Sequence, residues 1–261
     1  MPGTRRRHVG RPTRGKTAPE RLRRTDVLSA LLGAPPSHAA LMVDVGFGAA
    51  PTTTLESYAR LGRRRTDLRV IGVEIDRARV AAAAPLAVDG AVEFRLGGFD
   101  LPLTADEPPG LVRAMNVLRQ YPEAEHAGAM ALMSGHLADG GLLLEGTSTP
   151  SGRLFTANLV RRAGNETVFV GVVLSANLRR AWEPREMQTV LPKNLIHRGE
   201  PGGAIDAAFG VWDRAIAEAR RERLAPAAVF ARAAHVAAPA FGGADLRPAL
   251  LARGFFVTRL R

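Results

Sequence analysis

Residues 43–51 read VDVGFGAAP, and they decide the fold together with VIGVEID at residues 70–76. In the first stretch an apolar run meets Asp44 and then a turn with two glycines, and in the second the apolar run ends at Glu74. A strand, a glycine turn, a helix and a second strand ending in a carboxylate form half of a nucleotide-binding βαβ unit. Glycines let the backbone approach a ligand closely, and a carboxylate can accept two hydrogen bonds from a ribose diol. The two stretches therefore predict a nucleotide-type ligand.

From residue 40 onward, short apolar runs alternate with stretches of helical spacing. Strands are predicted at residues 40–45, 69–74, 91–96, 111–116, 141–146, 168–174 and 255–260, and helices at 53–62, 76–84 and 123–138. Such alternation is typical of a doubly wound sheet, and continuous apolar strands are typical of a sheet covered on both faces. We therefore expect an α/β fold with a mostly parallel, seven-stranded sheet. Residues 184–236 are predicted as a helical insertion before the last strand.

Positive charge is concentrated at the N-terminus. The formal net charge is +11, and residues 1–25 contribute +8, which leaves +3 for the remaining chain. Residues 1–17 lack apolar periodicity and are rich in Gly, Pro and Arg, which predicts a basic flexible arm. Residues 18–33 are predicted as an amphipathic lead-in helix within a single domain over 18–261. One hypothesis is that the arm neutralises the phosphates of an RNA partner.

Several classes of protein are excluded or disfavoured by what the sequence lacks. There is no cysteine, which excludes disulfides, zinc–thiolate sites and cysteine nucleophiles. The longest strongly apolar stretch, residues 168–174, is too short to span a bilayer, and the N-terminus has no apolar signal core. No cluster of metal-ligating residues is apparent either. We therefore expect a cytoplasmic protein without a bound metal and without a membrane partner.

The motif around the glycine turn resembles that of the class I S-adenosylmethionine-dependent methyltransferases, a Rossmann-like family. The resemblance covers about residues 40–175. The family's acidic residue and Gly-x-Gly-x-Gly are represented here by Asp44, Gly46 and Gly48, and Ala50 replaces the third glycine. The resemblance implies that the Gly46–Gly48 turn lies against the methionine part of the cofactor. It also implies that Glu74 takes the ribose hydroxyls, in agreement with the interpretation from the residues alone.

The resemblance extends to the ends of the third and fourth strands. It implies that Gly98 and Phe99 form the adenine wall, with Asp100 open as an alternative, and that Asn116 lies beside the methyl donor. The residues implied to bind S-adenosylmethionine are Asp44, Gly46, Phe47, Gly48, Glu74, Ile75, Gly98, Phe99 and Asn116. The two carboxylates in this set each have an alternative interpretation. Asp44 could cap the turn, and Glu74 could belong to the start of the next helix.

A dinucleotide-dependent dehydrogenase has a similar arrangement of glycines and a terminal acid. The dehydrogenase fingerprint would place Gly or Ala where this chain has Pro51. A last strand that follows a long insertion is also more typical of a methyltransferase.

Substrate-contacting residues are less well defined by the sequence. Tyr121 follows the fourth strand, and the segment 191–199 carries Lys193, His197 and Arg198 between Pro and Gly. One hypothesis is that these three cations bind an anionic substrate, and the alternative is a solvated loop. The candidate general bases are His126, His136 and His197, but each is better explained as a helix-surface or structural residue, so the base stays unassigned.

Three functions remain open from the sequence. The first is methyl transfer to RNA, the second is methyl transfer to a small molecule, and the third is a non-catalytic module that binds S-adenosylmethionine or a partner.

Overall fold

The computed structural model describes residues 8–260, so the first seven residues and Arg261 lie outside the described part of the chain. One sheet of nine strands runs through the molecule in the order β3-β2-β1-β4-β5-β6-β7-β9-β8. The strands are β1 (Leu41–Val45), β2 (Arg69–Glu74), β3 (Val92–Leu96), β4 (Leu111–Met115), β5 (Leu142–Ser148), β6 (Leu154–Ala163), β7 (Glu166–Ala176), β8 (Ala244–Asp245) and β9 (Phe255–Thr258).

Strands β1 to β5 form what we call the parallel half of the sheet. Val43 on β1 pairs with Ile71 on β2 and with Val112 on β4, and all three side chains are buried. Both faces of this half are covered, as the continuous apolar runs predicted. Because the strands are parallel, the carboxyl ends of β1, β2, β4 and β5 meet at one edge of the sheet. A ligand cleft is expected at such an edge.

Strands β6 to β9, with the helices packed on them, form the antiparallel half. Every neighbouring pair from β5 to β8 along this half is antiparallel. The prediction of a seven-stranded, mostly parallel sheet is therefore wrong, since the sheet has nine strands and is mixed. All seven predicted strands are present, but β6 and β8 were not predicted. Strand β6 interleaves polar Thr156 and Asn158 with apolar residues, and β8 has only two residues, so neither forms a continuous apolar run.

Seven helices from the described part of the chain pack on this sheet. They are α1 (Arg23–Leu31), α2 (Thr52–Leu61), α3 (Arg77–Ala83), α4 (His126–Gly135), α5 (Ala204–Arg221), α6 (Pro226–Ala237) and α7 (Pro248–Leu251), with several short 3-10 turns between them. The segment predicted as a helical insertion contains α5 and nearly all of α6. From residue 8 to residue 260, no helix combines the length and the apolar character that crossing a membrane requires.

The core has separate apolar clusters on the two faces of the sheet. On one face, Leu28 of α1, Leu61 of α2 and Leu250 of α7 join Met42 and Leu144 of the sheet. On the other face, Met133 of α4 joins apolar residues of the same strands. A third cluster lies between the antiparallel half and helices α5 and α6. The helices therefore cover both faces, as a doubly wound fold requires.

The described part of the predicted arm is packed against the body of the protein. The carbonyl of Gly15 accepts a hydrogen bond from Ala49 N (2.9 Å), and the carbonyl of Val9 accepts one from Phe99 N (2.8 Å). Residues 8–17 therefore lie along the carboxyl edge of the parallel half, where the sequence predicts the ligand. The beginning of the predicted arm lies outside the described residues.

Candidate functional site

The glycine turn after β1 is formed by residues with left-handed backbone geometry. Gly46 has a φ of +72° and Gly48 a φ of +86°, values that side-chain-bearing residues rarely adopt. A Cβ on Gly46 would lie 2.7 Å from Val117 Cγ2, and a Cβ on Gly48 would lie 2.7 Å from the carbonyl oxygen of Gly15. Both positions therefore need glycine, and the second needs it because the N-terminal segment passes so close.

Glu74 lies at the end of β2 and holds the glycine turn in place. Its side chain is only 2% exposed, and its Oε2 accepts a hydrogen bond from Gly48 N at 3.0 Å. Its Oε1 accepts from the backbone N–H groups of Ile75 (3.0 Å) and Asp76 (3.2 Å), and Arg79 Nη1 lies 3.6 Å from Oε2. The structure therefore brings the predicted carboxylate and the predicted turn together across β1 and β2.

Asp44 also borders the cleft, but both of its oxygens are engaged inside the protein. Arg113 donates from Nε to Oδ1 and from Nη2 to Oδ2, each at 2.8 Å, and Thr54 donates to Oδ2 at 2.6 Å. Arg113 also donates from Nη1 to Asp26 of α1 (2.7 Å), and Arg60 pairs with the same carboxylate. Burial alone lowers the pKa of Arg113, but the charges of Asp44 and Asp26 outweigh it, so its pKa lies above the ordinary value.

The ends of β4 and β5 are joined by Asn116, which has a left-handed φ of +65°. Its Oδ1 accepts hydrogen bonds from Ser148 N (2.9 Å) and from Arg21 Nη2 (3.0 Å). The Arg21 guanidinium also donates to Ser148 and to the carbonyl of Lys16, and these acceptors are neutral. Burial lowers the pKa of Arg21, because no carboxylate among its contacts offsets the loss of water.

A cavity of about 640 Å³ opens between the glycine turn, the ends of β4 and β5, residues 13–17 and the pair Thr189 and Val190. Four cationic side chains line it: Arg14, Lys16, Arg21 and Arg119. Asp44 is the only carboxylate among the lining residues, and Arg113 neutralises it. The cavity therefore has an excess of positive charge. Phe47 also lines it and packs edge-on against Phe94, with ring centroids 5.3 Å apart.

The nucleoside side of the predicted cofactor site is filled by the chain itself. Between residues 9–13 and the wall of Ile75, Gly98, Phe99 and Tyr121, only about 20 Å³ is open. A Cβ on Gly98 would lie 2.0 Å from the carbonyl oxygen of Val9, and one on Gly10 would lie 3.3 Å from Ile75 Cδ1. Gly98 and Phe99, which were predicted to form the adenine wall, are therefore covered by the N-terminal segment.

Tyr121, predicted to contact substrate, lies in that wall instead of in the open cavity. Its hydroxyl accepts a hydrogen bond from Arg11 N (2.6 Å) and donates one to Arg11 O (2.7 Å), and its ring packs edge-on against Phe99. Burial raises the pKa of Tyr121, and the nearby Arg11 opposes that rise only in part.

The other predicted substrate residues lie apart from the cavity. Lys193, His197 and Arg198 belong to short 3-10 turns and are absent from its lining. The residues that line the cavity here are Thr189 and Val190, which precede the segment 191–199. His197 is largely exposed and lies 3.7 Å from Glu123. The hypothesis placed an anion-binding site at these three basic side chains, whereas the structure places them away from the cavity.

The candidate bases His126 and His136 do not line the cavity either. His126 is buried at the start of α4, where its Nε2 lies 3.1 Å from Glu145 Oε2. Asn158 donates to the same carboxylate oxygen at 2.8 Å. These side chains form a closed interior network, which suits a structural role. Within residues 8–260 there is no grouping of three or more histidine or acidic side chains suited to a metal ion.

Sequence reasoning missed the cations that the fold brings to the cleft. Arg21 precedes α1, and Arg119 lies in a 3-10 turn after β4, so they are almost a hundred residues apart. Neither belongs to a motif. Only the concentration of arginine near the N-terminus hinted at the first of them.

No protein-family model matches the chain, and no curated protein matches it. Among solved structures, CalS10 from Micromonospora echinaspora, an amino pentose methyltransferase with bound SAM, is 22% identical over 62% of this chain and 69% of its own, with a TM-score of 0.37. The magnesium protoporphyrin IX methyltransferase ChlM from Synechocystis PCC 6803 is 17% identical over 48% of this chain and 53% of its own, with a TM-score of 0.37.

Another solved structure, that of the [4+2]-cyclase SpnF, is 22% identical over 54% of this chain and 50% of its own, with a TM-score of 0.37. The chain therefore spans about half the length of SpnF and ChlM. Each of these likenesses is partial, since it covers 48–62% of this chain at a TM-score of 0.37.

Proposed function

We propose that the protein is an S-adenosylmethionine-dependent methyltransferase whose acceptor carries an anionic group. One observation carries this proposal: Glu74 is locked against the glycine turn at the edge of the sheet, directly beside a cavity with four cationic lining residues. The carboxylate suits a ribose diol, and the turn exposes backbone to a ligand. The cationic cavity gives the acceptor's negative charge a place to bind.

The residues present fit the recognition chemistry of this cofactor. Glu74, the Gly46–Gly48 turn and Asn116 would hold it, with the wall of Gly98 and Phe99 on the nucleoside side. The fit requires residues 9–13 to leave that wall, because about 20 Å³ is far less than a nucleoside needs. When bound, S-adenosylmethionine supplies an activated methyl group. The chain supplies orientation and exclusion of water.

The lining of the cavity also restricts the acceptor. Among the described residues that line it there is no histidine, and the one carboxylate, Asp44, is neutralised by Arg113. No obvious general base therefore faces the cavity. This favours an acceptor atom that is already unprotonated at neutral pH, such as a carboxylate oxygen, since its reaction needs no proton removal. An anion beside Arg21 would also offset the loss of water that lowers the pKa of this side chain.

Calorimetry with S-adenosylhomocysteine tests the cofactor assignment. The wild-type protein is expected to bind, and Glu74→Ala is expected to bind about 10–100-fold more weakly, since a hydrogen bond to a charged group contributes about 1.5–3 kcal/mol. Glu93→Ala is the matched control, because Glu93 is a half-exposed carboxylate on the neighbouring strand β3. Thermal melting of Glu74→Gln shows whether the glycine turn is still folded. This separates loss of cofactor recognition from loss of the turn itself. Absence of binding both to the wild-type protein and to variants in which residues 9–13 are released from the wall would contradict the proposal.

The acceptor class is tested by transfer of a labelled methyl group. Anionic metabolites, neutral metabolites and total RNA are offered in parallel. Arg119→Ala is expected to reduce transfer to the anionic metabolites about tenfold, while Arg198→Ala, which removes an exposed cation away from the cavity, leaves it unchanged. Transfer confined to neutral metabolites would refute the anionic acceptor, and transfer to RNA alone would identify a polyanion as the acceptor.

A further inference from the structure

We infer that residues 8–15, which we call the strap, compete with the nucleoside part of the cofactor for the same wall. This inference rests on the proposed function, because it concerns the regulation of the proposed cofactor site. The strap would keep the site closed until the cofactor displaces it.

The first support is that the strap occupies the wall's hydrogen-bonding groups. Phe99 N donates to the carbonyl of Val9 at 2.8 Å, so the amide at the end of β3 is engaged by the chain itself. Val9 N in turn donates to Asp100 Oδ1 at 3.1 Å. Both groups belong to the turn that the sequence assigns to the adenine. A nucleoside and the strap therefore cannot use this turn at the same time.

The second support is a set of contacts along the rest of the strap. Arg11 exchanges two backbone hydrogen bonds with the Tyr121 hydroxyl, and its guanidinium lies 4.7 Å from the centre of the same ring. Arg79, which lies 3.6 Å from Glu74, donates from Nη2 to the carbonyl of Thr13 at 2.9 Å. The strap is thereby tied to the side of the site where the ribose is expected.

The third support is that these contacts are of a kind that can be released. Val9, the only large apolar residue of the strap, is 45% exposed, so no apolar anchor holds the segment. The ion pair between Arg11 and Glu125 is half-exposed on both sides, and such pairs contribute little in water. Segments with few buried apolar contacts open most readily.

Competition of this kind has a measurable signature. When the binding-competent state is only partly populated, the apparent dissociation constant rises in inverse proportion to that population. Variants that weaken strap docking should therefore bind the cofactor more tightly, although they remove contacts. A strap that covers a bound cofactor would show the opposite effect.

The test uses calorimetry of the full-length protein with S-adenosylhomocysteine. Arg11→Ala, which removes the pair with Glu125, is expected to tighten binding about two- to fivefold. Gly10→Val is expected to tighten it about tenfold, because Gly10 has a φ of +137° and a Cβ there would lie 3.2 Å from the Tyr121 hydroxyl. Arg23→Ala is the matched control, since Arg23 is an exposed arginine whose ion pair with Glu20 lies outside the strap.

Limited digestion with trypsin provides a second readout. Saturating S-adenosylhomocysteine is expected to accelerate cleavage after Arg14, because the displaced strap becomes accessible. Equal or weaker binding by Arg11→Ala and Gly10→Val, or slower cleavage with ligand, would overturn the strap while leaving the proposed function intact. Failure of the wild-type protein and of both variants to bind would overturn the proposed function, and the strap with it.

Discussion

The two halves of the sheet are built on different interactions. The parallel half contains a buried ionic network, in which Arg113 is 1% exposed and pairs with Asp44 and Asp26. The antiparallel half is packed by aromatic rings instead: Trp182, Phe209, Trp212, Phe230, Phe241 and Phe256. Both halves bury apolar side chains, but the buried charged side chains of the described residues belong to the half whose strand ends form the cleft.

This difference has a physical consequence for the site. A buried ion pair need not stabilise a fold more than apolar packing does, but it fixes the orientation of the groups that form it. Asp44 and Arg113 hold β1 to β4 immediately below the glycine turn. The aromatic cluster needs no such directionality, because burial of apolar surface is the main stabilising effect there.

The largest expected effect comes from removing the cation of the network. Arg113→Ala leaves Asp44 and Asp26 buried without that partner, and a loss of about 3–5 kcal/mol in the free energy of unfolding is expected at pH 7. Burial already raises the pKa of Asp26, against the lowering effect of Arg113 and Arg60, and the variant should raise it further. A carboxylate with a raised folded pKa favours folding below its unfolded value of 3.8, and this contribution is lost as the pH rises through the folded pKa.

Urea unfolding of Arg113→Ala at a series of pH values measures this effect. The destabilisation relative to wild type should shrink as the pH falls from 7 through the raised pKa. A loss that is independent of pH would show that the two halves do not differ in the way described.

A smaller effect is expected from a cavity in the antiparallel half. Ile216 of α5 is 1% exposed and belongs to the apolar cluster around Trp212. Ile216→Ala is expected to reduce the free energy of unfolding by about 2–4 kcal/mol, as truncation of a buried aliphatic side chain does. In the same urea experiments the loss of unfolding free energy should be the same at about pH 5 and about pH 7, since the substitution neither exposes nor buries a charged group. A loss that varies with pH would point to a coupling between the halves.

The smallest effect is expected at the outer edge of the parallel half, away from the site. Arg95 of β3 pairs with both oxygens of Glu107, at 2.6 and 2.7 Å, and this holds the pKa of Glu107 well below its ordinary value. A carboxylate with a lowered folded pKa favours folding above its unfolded pKa, and that contribution is lost as the pH falls. Glu107→Gln should therefore destabilise the protein by about 1 kcal/mol or less at pH 7.

The measurement for this pair is the acid side of the stability profile. The difference between Glu107→Gln and wild type should begin to shrink as the pH falls below the ordinary pKa of glutamate, 4.5, and should disappear only below the lowered pKa of the folded protein. A difference that stays constant as the pH falls below 4.5 would mean that the pair acts through its geometry and not through its charge.

The sequence predicted most of the parallel half, since each of its strands is a local run of apolar residues. It also predicted that Glu74 would lie beside the glycine turn, because the βαβ connection brings the ends of β1 and β2 together. Strand β6 was missed, because its Thr156 and Asn158 break the apolar run while still pointing into the interior. Because β6 and the two-residue β8 form no continuous apolar run, the predicted number of strands was too low and the predicted share of parallel strands was too high.

The long-range partners were out of reach of sequence reasoning. Asp44 and Arg113 face each other across β1 and β4, and nothing in either local sequence shows that the register would align them. Residues 8–17 have the composition of a flexible arm, yet the structure places them in the cleft, where Gly98 and Gly48 leave room for their carbonyl groups. Composition reports the average tendency of a segment and contains no information about a matching groove elsewhere in the chain.

Local pattern therefore specifies the elements of this protein and the corner where Glu74 meets the glycine turn, because apolar periodicity and glycine geometry act over a few residues. The tertiary structure decides which charges neutralise each other, which cations line the cavity and what covers the nucleoside wall. These properties depend on distances between residues that are far apart in the chain, and only the packing of the whole sheet sets those distances.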